Sequence, residues 1–157
     1  MASRTVQRNE RETEVLRVLG AVALLAVGGV HFQQYEYDYF SVIPTIGPLF
    51  LVNFIAATAL GLVLLAPVVV RCIPPTVQRL AALAGIGVSA GAFVAVLISE
   101  YAPLFGFMES GYRAAVVLAL GFEAAAVTFL GAFVARSRAT TYRDGSVGAS
   151  RVGGANA

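Results

Sequence analysis

The chain has 157 residues, of which 58% are hydrophobic and 13% are charged, whereas soluble domains carry about 25% charged residues. So few charges cannot cover a soluble globule of this size, and we therefore predict that the chain lies in lipid. The net charge of +2 comes from scattered arginines, which does not favour nucleic acid as a partner. One cysteine and one histidine exclude an internal disulfide, a C-x-x-C pair and a zinc cluster, so we expect no cofactor.

Four apolar runs predict the fold class. Each is long enough, or nearly so, to cross a bilayer core of about 30 Å as a helix. The runs cover about residues 15–34, 46–70, 80–98 and 114–135. We predict an all-α, four-helix transmembrane bundle over residues 15–135, as a single domain. Residues 1–14 are polar and predict an N-terminal cytoplasmic segment, in which the spacings Arg8–Glu12 and Glu14–Arg17 favour a helical lead-in to the first span. Residues 136–157 predict a disordered cytoplasmic tail.

The first run is the weakest of the four, since only residues 18–30, between Arg17 and His31, lack polar groups. A basic segment before an apolar stretch is also typical of a cleaved signal peptide, but no convincing small-x-small cleavage site follows it. We therefore expect an uncleaved span, with the guanidinium of Arg17 reaching the lipid headgroups.

Proline and glycine mark the second and third runs. Pro48 fits the first turn of a helix, where its missing N–H costs nothing, and Pro67 predicts an end or a kink. The third run contains Gly85, Gly87 and Gly91, so one of its faces is nearly bare backbone. Small residues at such spacings let membrane helices approach closely.

The arginines predict the topology, because cytoplasmic loops are enriched in basic residues. Ten lie on one side of the predicted membrane, namely Arg4, Arg8, Arg11, Arg17, Arg71, Arg79, Arg136, Arg138, Arg143 and Arg151, and Arg113 lies on the other. We therefore expect both termini in the cytoplasm.

Four polar residues interrupt the apolar runs and predict an intramembrane polar layer. At about 1.5 Å per residue, Asn53 lies about 10 Å, Thr58 about 18 Å and Glu123 about 14 Å from the outer ends of their spans, and Ser89 lies near the middle of the third. A carboxyl group at this depth must be protonated or paired. Glu123 is then either a proton or cation site with Asn53 and Ser89 as partners, or a neutral residue that clamps the fourth span to the second through Asn53.

A second candidate site lies at the outer mouth of the bundle. His31 precedes Tyr35 by one helical turn, and both outer loops carry acidic residues, among them Glu100 and Glu109. His31 titrates near neutral pH in water and could pass protons toward Glu123. The alternative is an interfacial histidine bound to a loop carbonyl or to Tyr35. No metal site is predicted, because the acidic residues show no specific ligand spacing.

Two strings carry a resemblance to a known group of proteins. The first is I-P-T-I-G-P-L-F-L-V-N at residues 43–53, preceded by His31 and Tyr35, and the second is L-F-G-F-M-E at residues 104–109. Over residues 15–135 the chain resembles small four-helix integral membrane proteins of bacteria. The resemblance implies that His31, Asn53, Glu109 and Glu123 are the positions of interest, and it implies no activity.

The short loops and the lack of a recognisable catalytic set predict a non-enzymatic role. We expect a small integral protein of the bacterial plasma membrane that serves as an accessory or structural subunit of a membrane complex. Its expected partners are the lipid bilayer and either another membrane protein or further copies of the chain. One alternative is a small proton- or cation-coupled transporter that uses Glu123. A weaker one is a lipid- or quinone-handling enzyme with its site at the outer mouth.

Overall fold

Four helices account for the structure. The computed structural model describes residues 2–38, 40–70, 73–108, 111 and 113–153, and the side chains of 7–38, 40–70, 73–108, 111 and 113–137. The helices are α1 (Ala2–Tyr37), α2 (Ile46–Leu65), α3 (Pro75–Tyr101) and α4 (Ala114–Gly153). The part of the chain that the structure describes contains no β-strand, only one isolated bridge. The predicted all-α class is therefore confirmed.

Each helix contains a segment that is long and apolar enough to cross a membrane. These segments are Gln7–Tyr37, Ile46–Val68, Pro75–Tyr101 and Ala114–Ser137. Large apolar side chains are exposed on all four helices, for example Val22, Ile55, Val94 and Val117. Contact of these side chains with lipid tails costs little free energy, whereas their exposure to water is unfavourable.

The helices alternate in direction. α1 packs against α2 and α4, and α3 packs against the same two helices from the other side. The first half of α1 meets α4 where Arg136, at the end of the apolar part of α4, binds Glu12, and it meets the end of α2 where Arg17 binds Leu64. We call this the terminal end of the bundle. The α1–α2 and α3–α4 connections lie at the opposite end, which we call the connection end.

Close packing of α1 against its neighbours depends on small residues. A Cβ atom added at Gly20 would lie 2.4 Å from Leu130 Cδ2, and one added at Gly85 would lie 2.7 Å from Leu24 Cδ1. Leu24 and Leu130 are fully buried in the core. The glycines therefore let α1, α3 and α4 approach around two leucines.

Two helix boundaries differ from those predicted. α4 continues to Gly153, so the segment predicted as a disordered tail is helical up to that residue, and residues 154–157 lie outside the described residues. No proline follows Pro103, and Ala and Arg around residue 136 favour a helix. α1 begins at Ala2, in agreement with the predicted helical lead-in, and reaches Tyr37, beyond the predicted end near residue 34. The end predicted at Pro67 is confirmed, since α2 stops at Leu65 and a 3₁₀ turn follows.

Arg17 does not extend toward the headgroups as predicted. Its side chain is buried, and its guanidinium donates a hydrogen bond to the carbonyl oxygen of Leu64, with Glu14 at 3.6 Å. The last carbonyls of a helix lack intrahelical partners, and Pro67 removes one donor that could have served them. Arg17 therefore caps α2 from the side instead of facing lipid.

An aromatic cluster closes the connection end. The ring of Phe40 stacks on Phe50 at a centroid distance of 4.8 Å and meets the edge of Phe107 at 5.2 Å. Arg113 lies over the Phe40 ring at 5.7 Å and forms an ion pair with Asp38 at 3.7 Å. We call Phe40, Phe50 and Phe107 the aromatic cap.

Two backbone features hold the aromatic cap in place. A Cβ atom at Gly47 would lie 2.8 Å from the carbonyl oxygen of Phe40, so only glycine allows the backbone of Phe40 and Ser41 to lie against the start of α2. The second feature is a tight turn in which the backbone N–H groups and carbonyls of Leu104 and Phe107 bond each other at 2.7 and 3.0 Å. Its central residues, Phe105 and Gly106, both have positive φ, as in a type I′ turn.

Candidate functional site

Three polar side chains from three helices meet below the aromatic cap. His31 of α1 lies with its Nε2 atom 2.9 Å from Asn53 Nδ2 of α2 and 3.7 Å from Glu123 Oε1 of α4. His31 is 4% exposed and Glu123 is fully buried. We call His31, Asn53 and Glu123 the polar triad. Because Glu123 is fully buried and lies beside His31 of another helix, it faces the interior of the bundle.

The backbone of α1 fixes the tautomer of His31. Its Nδ1 atom lies 2.9 Å from the carbonyl oxygen of Val27, one turn earlier in the helix. A carbonyl oxygen only accepts hydrogen bonds, so Nδ1 carries a proton and donates it. In the neutral imidazole Nε2 is then an acceptor, and the Nδ2 group of Asn53 donates to it.

The triad leaves polar atoms without partners. Among the described residues, no hydrogen bond reaches either carboxyl oxygen of Glu123 or the Oδ1 atom of Asn53, although all three atoms are buried. A buried polar group without a hydrogen bond costs about 1–3 kcal/mol. Unpartnered buried atoms of this kind indicate that a proton, a ligand or a small movement supplies the missing hydrogen bonds.

The triad lies in the half of the bundle nearer the connection end. His31 is six residues before the end of α1, or about 9 Å, and Asn53 is seven residues after the start of α2, or about 10 Å. Glu123 is nine residues into α4, or about 14 Å. Phe50 lies on His31 at a centroid distance of 5.1 Å, so the aromatic cap covers the triad on the side of the connections.

A cavity of about 360 Å³ adjoins the triad. It lies between α2 and α3, beneath Leu104 and Phe107 of the tight turn. Its polar lining comes from His31, Asn53, Gln34 and Ser99, and among the described residues no Asp, Glu, Lys or Arg lines it. The remaining lining is apolar and includes small residues of α3, namely Gly87, Gly91, Ala92 and Ala95.

The structure separates the predicted polar layer. Asn53 and Glu123 meet at His31, whereas the hydroxyl group of Ser89 is buried and makes no hydrogen bond within the described parts of the chain. The predicted hydrogen bond between Glu123 and Asn53 is not formed, because the Asn53 amide group donates to His31. Glu123 therefore does not clamp α4 to α2 through Asn53.

The structure describes only part of the predicted outer-mouth site. His31 belongs to the buried triad, and Tyr35 is half-buried one turn beyond it on α1. Glu100 is half-buried near the end of α3, with its Oε1 atom lacking a partner in the described structure. Glu109 lies outside the described residues. Within the described ranges, no group of three His, Cys, Asp or Glu side chains is placed to hold a metal ion.

Sequence reasoning missed the position of His31 and the cavity. The first apolar run ends near His31, which suggests a residue at the mouth of the bundle. α1 continues to Tyr37, and this places His31 level with Asn53. The four-residue spacing of His31 and Tyr35 was the available signal in the sequence. It fits a helix that continues at least to Tyr35, and such a helix places His31 inside the bundle.

No protein-family model, curated protein or solved structure matches this chain.

The first prediction concerns the free energy of unfolding in detergent. We expect Asn53→Leu to lower it by about 1–3 kcal/mol, because the Nε2 atom of His31 then stays buried without a donor. Glu123→Leu should leave it unchanged or raise it, since leucine removes two unpartnered oxygen atoms. Denaturant titration followed by helix content measures both. An equal loss for Glu123→Leu would contradict this and restore a structural role for the carboxyl group.

Proposed function

We propose that this chain is a small proton-coupled membrane carrier in which the polar triad binds the proton. One observation carries the proposal: the Nε2 atom of His31 faces both Asn53 and Glu123 inside the bundle, beside a cavity. Intramembrane acidic residues are costly and commonly mark proton pathways. The unpartnered carboxyl oxygens favour this function over the structural alternative.

The triad has two arrangements that differ by the position of one proton. In the first, Glu123 is a neutral acid and the imidazole carries hydrogen only on Nδ1. In the second, the O–H bond of Glu123 breaks, a bond from hydrogen to Nε2 forms, and imidazolium faces carboxylate. Asn53 can donate to Nε2 only in the first arrangement. In the second arrangement its amide group must rotate and present Oδ1 to the new N–H group.

The other functions stay predictions. An accessory subunit requires a face for a partner, and the exposed apolar residues of all four helices serve lipid equally well. An enzyme at the outer mouth requires His31 beside the loop carboxylates, but His31 is committed to the buried triad. We therefore favour the carrier, which uses the residues that the structure brings together.

The proposal includes a location and a topology. The excess of arginine at the terminal end supports cytoplasmic termini in a bacterial plasma membrane. The connection end, with the aromatic cap and the triad beneath it, would then face the outside.

Cysteine labelling tests this topology. With Cys72 replaced by serine, we expect Tyr37→Cys at the connection end to react with a membrane-impermeant maleimide in intact cells, because Tyr37 is exposed at the end of α1. The matched position is Ser137→Cys, which lies on α4 at the terminal end of the bundle. It should react only after permeabilisation. The reverse pattern would place the termini outside.

Proton movement in liposomes tests the carrier function. We expect the protein, in vesicles of native membrane lipids with a pH-sensitive dye inside, to speed the collapse of an imposed pH gradient several-fold. Glu123→Gln and His31→Gln should abolish this effect, because glutamine cannot exchange a proton. Glu100→Gln is the matched control, since it changes a glutamate outside the triad, and it should behave like the parent.

Two outcomes of this assay would contradict the proposal. The first is no effect of the parent protein, although it is folded and inserted. The second is an equal rate in Glu123→Gln with the same amount of protein in the vesicles.

A further inference from the structure

We propose that the cavity between α2 and α3 binds the hydroxyl-bearing head of a neutral, lipid-soluble molecule that enters sideways from the bilayer. This inference names the substrate class of the proposed carrier. It rests on the proposed function only in that two residues of the polar triad, His31 and Asn53, line the cavity.

The cavity opens on the side of the bundle. Leu49 and Val52 line it from α2 and are 47% and 61% exposed. Gly87 and Gly91 line it from α3, and a Cβ atom at either would meet nothing within 4 Å. All four residues lie in segments that are apolar enough to cross a membrane. The opening therefore faces lipid tails when the bundle is inserted.

The aromatic cap restricts access from water. Phe107 forms part of the cavity roof and contacts Phe40, which is buried and stacks on Phe50. Arg113 and Asp38 pair above this cluster. A molecule dissolved in the bilayer thus has a shorter path to His31 than a water-soluble one, which would have to displace three packed rings.

The size and lining of the cavity define the body of the ligand. Ligand cavities span about 300–1,000 Å³, so 360 Å³ holds a head group and the first part of a chain. The lining is apolar beyond its polar end, and the opening between Val52 and Gly91 leaves room for a tail to continue into lipid. These properties fit an amphiphile with a small head better than a compact polar solute.

The free hydrogen-bonding atoms define the head. The Gln34 amide group, at the polar end of the lining, offers both donors and an acceptor. The hydroxyl hydrogen of Ser99 is engaged by the carbonyl of Val96, which leaves its oxygen as a second acceptor. The Oδ1 atom of Asn53 is buried and does not count among these atoms. A head that both donates and accepts hydrogen bonds, as a hydroxyl group does, matches this lining.

The absence of charge in the described lining excludes charged heads. A phosphate or carboxylate would find no arginine or lysine there, and an ammonium group would find no exposed carboxylate, because Glu123 lies behind His31 and does not line the cavity. An unpaired charge in such a site is costly. A neutral alcohol meets the acceptors without this cost.

Photolabelling in vesicles tests this inference. The probe is a long-chain alcohol with a diazirine in its chain, and its methyl ether, which cannot donate a hydrogen bond, is the matched probe. We expect mass spectrometry to locate the alcohol label on the residues of α2 and α3 that line the cavity. Labelling by the ether should be several-fold weaker, because one hydrogen bond is lost.

Three variants give the expected pattern a control. Gly91→Leu should abolish labelling because its side chain fills the opening. Gly121→Leu, at an exposed glycine of α4 with nothing within 4 Å of an added Cβ, should label like the parent. Gln34→Leu should reduce the preference for the alcohol over the ether while the apolar lining still takes up both probes.

Several outcomes would overturn the inference. They are labels spread evenly over the four helices, equal labelling by alcohol and ether, or a cross-linked dimer joined through α2 and α3 that Gly91→Leu disrupts. Glu123→Gln separates this inference from the carrier function. If that variant keeps the labelling and the parent moves no protons, the ligand site is supported and the carrier function is contradicted. If the parent moves protons but the cavity is not labelled, the carrier function is supported and the ligand site is contradicted.

Discussion

The hydrogen bond between the Nδ1 atom of His31 and the carbonyl oxygen of Val27 is the constraint on which the site depends. It is made within one helix, at 2.9 Å, and therefore survives changes in the packing of neighbouring helices. It keeps a proton on Nδ1 and leaves Nε2 as the only ring atom that can exchange one. In the proposed carrier, Asn53 would respond to the state of Nε2 through the orientation of its amide group, and Asn53 is also one of the residues that line the cavity. Protonation and ligand binding would thus act on one side chain.

The two strings behind the family resemblance converge on this site. In the first string, Gly47 lets the connection lie against α2, Phe50 packs on the imidazole ring and Asn53 bonds it. In the second string, Phe105 and Gly106 form a turn with positive φ that brings Leu104 and Phe107 to the cavity. Two segments about fifty residues apart thus together form the aromatic cap and contribute to the cavity beneath it. This convergence gives the strings a physical reason, whichever function the site performs.

Composition and periodicity predict the fold but only part of the site. The four spans follow from apolar runs, and Pro67 ends α2 because it lacks an N–H group. The depths of Asn53 and Glu123 follow from the rise of a helix. Arg17 could not be predicted in the same way, since its partner is a backbone carbonyl of another helix. His31 was placed too far out, because hydropathy marks where apolar residues stop and not where the helix ends. The cavity depends on how α2 and α3 pack, which no local pattern encodes.

Nitrogen NMR of the imidazole ring tests the central claim most directly. The chain contains one histidine, so protein labelled with ¹⁵N-histidine in detergent gives signals from a single ring. At neutral pH we expect a protonated Nδ1 and an unprotonated Nε2, with Asn53→Leu shifting the Nε2 signal and leaving Nδ1 in place. A proton fixed on Nε2, or the averaged spectrum of a histidine free in water, would contradict the arrangement from which the proton site and the ligand chemistry are derived.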